Sequence, residues 1–189
     1  MKEKKLHSKK FLKTFFQDRK QVGAVAPSWR FLVNKMCNHI DYKNAKCIVE
    51  FGPGTGVFTK ELLHRIGPDC KLIVIELNDE FHELLDKKFN DDRMLLYKVS
   101  AEQLPEILKE NNIQEVDAII SSLPLAVIPK EIREAILTNA QNKLKEKGLY
   151  IQYQYSLNAK KLIEKVFSEL SIQFVPVNIP PAFVYKAIK

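Results

Sequence analysis

A doubly wound α/β domain is the fold this sequence predicts, and three observations carry the prediction. From residue 45 onward, short runs of β-branched and apolar residues alternate with helical stretches. The first run leads directly into a turn with glycine at every second position, Gly52, Gly54 and Gly56. The last two runs are separated only by Ile179, Pro180 and Pro181, too short a link for a crossover helix, so they must pair as an antiparallel hairpin.

Taken in order, strands are expected at 46–51 (KCIVEF), 71–77 (KLIVIEL), 93–100 (RMLLYKVS), 116–123 (VDAIISSL) and 148–155 (GLYIQYQY), then at 171–178 and 182–188 in the hairpin. The first five are apolar almost throughout, the pattern of strands covered on both faces in a parallel sheet. Helices are expected between them at about 56–66, 78–89, 101–111, 129–146 and 157–170, with Pro129 opening the fourth. Five parallel strands closed by an antiparallel hairpin, with helices on both faces, make one domain over residues 23–189. Residues 1–22 differ in composition and form an accessory segment.

The chain has 189 residues and is 46% hydrophobic, enough for a substantial core. Its net charge of +7 is confined to one end. Residues 1–30 hold Lys2, Lys4, Lys5, Lys9, Lys10, Lys13, Arg19, Lys20 and Arg30 against Glu3 and Asp18, so the remainder is neutral in sum. Such an arm meets polyanions, either nucleic acid or an anionic membrane surface. Wound as a helix over 9–18, it places Phe11, Leu12, Phe15 and Phe16 on one face and Lys9, Lys10, Lys13, Thr14 and Gln17 on the other. Bulky apolar groups opposite lysines mark a helix lying in a membrane interface. A nucleic-acid arm needs the lysines without those apolar neighbours.

No run approaches about 18 apolar residues, so no bilayer span is expected. Lysines interrupt every apolar run near the start, unlike a secretory signal. Cys37, Cys47 and Cys70 form no CxxC pair and are expected to be reduced residues, in keeping with a cytoplasmic protein resting on the inner face of the membrane. The histidines show no HxxxH or HExxH spacing, so no metal site is expected.

The turn "VEFGPGTGVFTKEL" (49–62) carries the chemistry. Three glycines after a strand let a ligand approach the main chain and present free N–H groups at a helix N-terminus. On its own that turn serves nicotinamide, flavin and S-adenosylmethionine sites alike. Two carboxylates narrow it. Glu50, just before the turn, repels a pyrophosphate and favours a methionine ammonium or a sulfonium. Glu76 ends the next strand, where an acidic side chain accepts the ribose hydroxyls.

With these features the chain resembles the class I S-adenosylmethionine-dependent methyltransferases, whose Rossmann-like sheet ends in the same antiparallel hairpin. "VEFGPGTG" stands as their first motif and "VIELN", with Glu76 and Leu77, as their ribose-binding strand end. The resemblance implies adenine contacts at Ser100, Ala101 and Glu102; the family's acidic residue is absent at position 100, leaving Glu102 or a main-chain group as substitutes. At the fourth strand, "SSLPLAVIP" (121–129) occupies the place of the N/D-P-P-Y or N-L-P-Y motif that accepts the amine to be methylated. Ser121 or Ser122 with Leu123 and Pro124 keeps its shape without the amide or the aromatic platform. The blocks "FLKTFFQDRKQVGAVAPSWRFLVNKM", "VEFGPGTGVFTKEL", "SSLPLAVIP" and "IPPAFVYKA" together look like the small bacterial phospholipid N-methyltransferases acting on phosphatidylethanolamine. That likeness implies a phospholipid substrate at an anionic membrane surface, with no nucleic acid or obligate protein partner, and Tyr185 as the residue that orients the amine or takes its proton. Ser28, after Pro27 at a helix start, is expected to close over the methionine end.

Two other readings stand beside it. A ribosomal RNA adenine dimethylase shares the first motif and the Leu-Pro after the fourth strand, but expects an aromatic where Leu125 stands and a helical domain where this chain stops at Lys189. A non-catalytic protein that binds S-adenosylmethionine or lipid is the other.

Overall fold

The computed structural model describes residues 27–189. The expected interfacial residues Lys9, Lys10, Phe11, Leu12, Lys13, Phe15 and Phe16 therefore lie outside the described residues. The order of elements is α1 (Pro27–Cys37), β1 (Cys47–Phe51), α2 (Val57–Arg65), β2 (Lys71–Ile75), α3 (Asp79–Lys88), β3 (Met94–Tyr97), a 3₁₀ turn (Ala101–Gln103), α4 (Leu104–Glu110), β4 (Val116–Ser121), α5 (Lys130–Lys143), β5 (Leu144–Gln154), α6 (Lys160–Glu164), β6 (Glu169–Val175) and β7 (Ala182–Ile188).

The strands form one seven-stranded sheet in the order β3-β2-β1-β4-β5-β7-β6. β1 to β5 are parallel, and β7 runs antiparallel between β5 and β6, as the short hairpin link requires. The chain builds outward from β1 to β3, then returns past β1 to lay down β4 on its other side. Where the order reverses, the flanking loops diverge and leave a crevice outside the carboxyl ends of β1 and β4. All of β1 is buried, because strands and helices cover it on every side.

Strand alternation divides the core into two layers. Val49, Phe51, Ile73, Ile75, Ile119, Tyr150 and Tyr185 pack with Leu104, Ile107, Leu108, Ile136 and Leu137 of α4 and α5. Ile48, Leu72, Val74, Ala118, Ile120, Ile151 and Val184 pack with Leu32, Val33 and Met36 of α1, Phe58 and Leu62 of α2 and Leu85 of α3. Helix α3 is well delimited: Asn78 accepts the Phe81 N–H through its side chain, Asp79 and Glu80 occupy the first turn, and Lys87 and Lys88 the last. Cys37, Cys47 and Cys70 are free and buried.

Of the boundaries that differ from expectation, three have a direct structural cause. The strand expected to reach residue 100 ends at Tyr97, because β2 stops at Ile75 and the last rung is the Glu76 N–H on the Tyr97 carbonyl. The helix expected to reach 146 ends at Lys143, where β5 begins early: Leu144 pairs with Val116, and the register then jumps to Leu149 opposite Ala118. Asp117 anchors this irregularity by accepting the Lys46 and Cys47 N–H groups and pairing with Lys145. The helix expected over 157–170 contracts to Lys160–Glu164, since β7 offers partners as far as Ile188 and Leu170, Ile172 and Phe174 follow a strand alternation that pairs with it.

Candidate active site

Gly52, Gly54 and Gly56 all take left-handed backbone conformations, with φ of 64°, 58° and 79°. At Gly52 a Cβ atom would stand 2.9 Å from the Leu123 side chain, and at Gly56 one would meet the Phe89 ring at 2.6 Å. The turn therefore needs glycine for its conformation and for closeness to its neighbours. Gly52 also ties the first motif to the loop after β4, bringing two sequence blocks to one point.

Glu76 stands at the end of β2, almost wholly buried. Its Oε2 accepts the Gly54 N–H at 3.1 Å and its Oε1 accepts the Asn78 N–H at 2.8 Å, so the carboxylate braces the glycine turn. Leu77 beside Glu76 is exposed. Glu50 is fully buried one residue before Phe51, on the face covered by α1 and α2. Its Oε2 accepts the Thr59 hydroxyl at 2.7 Å, and its Oε1 has no protein partner. Burial pushes the carboxyl up to about 8; the Thr59 hydrogen bond offsets part of this, and the nearby Glu76 charge adds to it. A buried acid with one unused oxygen is suited to a cationic ligand, whose charge would favour the ionised form.

At β4 the register continues through the Ser122 N–H on the Phe51 carbonyl. Ser121 faces the α4–α5 layer, and its Oγ accepts the Leu123 N–H at 3.3 Å. Ser122 follows Ala118 and Ile120 in the alternation and so shares the Glu50 face. Ser122 is buried and its Oγ has no protein partner. The Leu123 carbonyl accepts Nε2–H from both Gln152 and Gln154, each at 2.8 Å, and the Leu125 N–H at 2.9 Å, so its lone pairs are fully used within the protein. Among the side chains of the expected substrate contacts Ser122, Leu123 and Pro124, the one polar group is the Ser122 hydroxyl, and it has no protein partner.

Tyr185 is placed differently from expectation. It lies on the α4–α5 face of β7, fully buried, opposite Gln152 in the register. Its hydroxyl donates to the Ser156 carbonyl at 2.8 Å, and burial pushes its pKa up to about 12. Such a phenol anchors the segment after β5; its donor is committed, and its anion is unfavourable. Ser28 lies in the first turn of α1. Ser100 precedes the 3₁₀ turn and its carbonyl accepts the Gln103 N–H, Ala101 is buried, and the Glu102 carbonyl accepts from Asn139 of α5. These three lie at the same carboxyl edge as Glu76.

Sequence reading did not single out Thr59, Gln152, Gln154 or the aromatic group of Trp29, Phe58 and Tyr153. Those rings meet edge-on or tilted at 6.0–6.2 Å between α1, α2 and β5. The available signal for the glutamines was the run "QYQY", two amides two residues apart in an otherwise apolar strand. A groove of about 680 Å³, lined by Thr55 of the turn and by Glu80, Glu83, Leu84, Lys87 and Lys88 of α3, includes neither Glu50 nor Ser122.

The fold and this crevice define a class I S-adenosylmethionine-dependent methyltransferase. Residues 48–148 match the family model described as a methyltransferase domain, and the chain belongs to that family. An ornithine lipid N-methyltransferase from Singulisphaera acidiphila is 30% identical over 177 residues, covering 93% of this chain and 92% of that protein. A ribosomal RNA small subunit methyltransferase A from Mycoplasma capricolum is 30% identical over 95 residues, or 49% of this chain; the chain spans 34% of that relative's length. The fold is shared with Burkholderia thailandensis 1,6-didemethyltoxoflavin-N1-methyltransferase, solved with bound 1,6-didemethyltoxoflavin and S-adenosylhomocysteine, at a TM-score of 0.70 and 13% identity, covering 96% of this chain and 86% of that one. The protein is an S-adenosylmethionine-dependent N-methyltransferase.

Proposed function

We propose that the enzyme methylates the head-group amine of a membrane lipid, phosphatidylethanolamine and its partly methylated forms, towards phosphatidylcholine. The observation that carries this reading is the loop after β4: its buried Ser122 hydroxyl has no protein partner, and the loop itself offers apolar side chains and no aromatic residue for stacking a flat base. The likeness to a lipid-modifying relative along nearly its full length supports the same substrate class.

The residues fit S-adenosylmethionine. Glu76 is placed for ribose hydroxyls, the three glycines for close approach, and Glu50 for the cationic end of methionine. When bound, the cofactor supplies a methyl group already activated by a positively charged sulfur. The chain must then present a neutral amine. The loop from Leu123 to Pro129 carries no charged side chain, and an apolar surround of this kind disfavours an ammonium. Ser122 Oγ accepts one N–H of the neutral amine and fixes its lone pair towards the cofactor's side of the crevice. Gln152 and Gln154 hold the Leu123 carbonyl and so keep the loop in place.

The test offers labelled S-adenosylmethionine with liposomes containing phosphatidylethanolamine, liposomes containing ornithine lipid, and undermodified ribosomal RNA. Label is expected in phosphatidylethanolamine. Label in ornithine lipid alone would reassign the head group within the lipid class, a second reading that the Singulisphaera relative favours. Label in RNA alone would overturn the lipid reading.

A further inference from the structure

The carboxyl edge of the sheet is chemically divided. On the β2–β3 side it carries Asp79, Glu80 and Glu102 at the starts of α3 and the 3₁₀ turn. On the β4–β5–β7 side it carries almost no charge. Residues 118–129, 148–159 and 170–185 contain no Asp, Glu, Lys or Arg, in a chain that is 28% charged. Each stretch ends against a lysine, Lys130, Lys160 or Lys186.

The loops of these stretches meet at one edge. Gln154 pairs with Phe183 and Val175 with Ala182, so the link between β6 and β7 projects past the carboxyl end of β5. The Tyr185 hydroxyl joins this hairpin to Ser156, and the glutamines join β5 to Leu123. At the hairpin tip Val177 is 52% exposed and Ile179 73%, with Phe174 below them at 55%. Val127, Tyr155 and Leu157 add exposed apolar groups from the neighbouring loops.

We infer that this half-edge, led by Val177 and Ile179, is a second membrane-docking surface that inserts into the bilayer interface beside the active-site mouth. The choice of partner rests on the lipid-amine reading, but three independent features favour a lipid interface as the occupant. Pro176, Pro180 and Pro181 lack N–H groups, so the tip presents few main-chain donors to be desolvated. Charge is arranged to suit an anionic leaflet: Lys130, Lys160 and Arg30 stand at the starts of α5, α6 and α1 around the apolar patch, although Lys130 and Lys160 lie 4.0 and 3.7 Å from Glu134 and Glu164. Finally, Trp29 packs on Tyr153, so the described chain begins at this same edge and the basic segment 1–26 joins it here. Hairpin and crevice then address one plane, and a lipid head group reaches Ser122 while its acyl chains stay in the bilayer.

The test uses the full chain and vesicles of phosphatidylglycerol and phosphatidylcholine, which contain no methylatable amine. Ile179→Trp is expected to shift its added fluorescence to the blue on these vesicles and to be quenched by brominated lipid. Val177→Asp/Ile179→Asp is expected to lower vesicle partition by about tenfold or more, with cofactor affinity and Tm unchanged, as befits exposed positions. Unmoved Ile179→Trp emission, or unchanged partition of the double variant, would overturn the inference. So would a double variant that loses only self-association, which would mark the tip as a contact between copies. If the double variant fails to fold, Ile179→Trp decides. A separate arm measures methylation of short-chain phosphatidylethanolamine below its micellar concentration. Failure of the wild type there, with Ile179→Trp still inserting, would remove the substrate reading and leave docking intact.

Discussion

Glu50 shows how a single side chain couples stability to ligand binding. Its carboxyl sits at about 8 in the fold against an ordinary 4.5, chiefly through burial. Between those values the native state holds a proton that the unfolded state has released, so its contribution to stability is complete below about 4.5 and is lost as pH rises through about 8. Glu50→Gln is therefore expected to flatten the fall in Tm of the cofactor-free protein over that window, read by calorimetry across a pH series. S-adenosylmethionine binding at pH 7 is expected to release a proton from Glu50, seen as a buffer-dependent binding heat that Glu50→Gln abolishes. Glu76→Ala removes the acceptor proposed for ribose and is expected to weaken cofactor binding roughly 100-fold, about 3 kcal/mol; titration calorimetry with unchanged affinity would refute that assignment. Ser122→Ala is expected to lower kcat about tenfold while leaving cofactor affinity intact, which separates an amine contact from a cofactor contact. Glu50 and Glu76 were legible in the sequence because each is adjacent to its motif. Thr59 and the two glutamines were not, because their partners Glu50 and Leu123 become neighbours only through helix packing and strand register.

Among the elements, the glycine turn is where conformation leaves least latitude. Gly56→Ala must hold a side chain at φ 79° with its Cβ 2.6 Å from the Phe89 ring. A loss of about 1–3 kcal/mol is expected in urea titration, since the left-handed conformation alone costs ~1–2 kcal/mol. The strands β1 and β7 were legible to within a residue, and β2 to within two, from their apolar runs and from the Pro-rich link. β5 and β6 were not, for the same physical reason: each starts earlier than its apolar run because a neighbouring strand supplies main-chain pairing to residues before that run, Val116 to Leu144 and β7 to Glu169. Tyr185 illustrates the converse, a residue in a correctly read strand whose pointing direction sends its hydroxyl to Ser156.

For the molecule as a whole, the proposed membrane attachment divides into an electrostatic and an apolar part with different signatures. Replacing Lys9, Lys10 and Lys13 by Gln is expected to weaken binding to anionic vesicles about 100-fold at low salt, at ~1 kcal/mol per lysine, with little further loss when salt is raised. The hairpin contribution is expected to persist at high salt, because burial of apolar surface is not screened. No described helix is long and apolar enough to cross a membrane. Alternation of runs, glycine spacing, adjacent carboxylates and charge segregation are properties of neighbours along the chain, so they could be read without folding. Which acceptor stays open at the end of β4, which tyrosine is committed elsewhere, and which uncharged loops gather on one edge depend on strand order and register. Those are set by long-range pairing and core packing, and they take definite values only once the sheet has closed around β1.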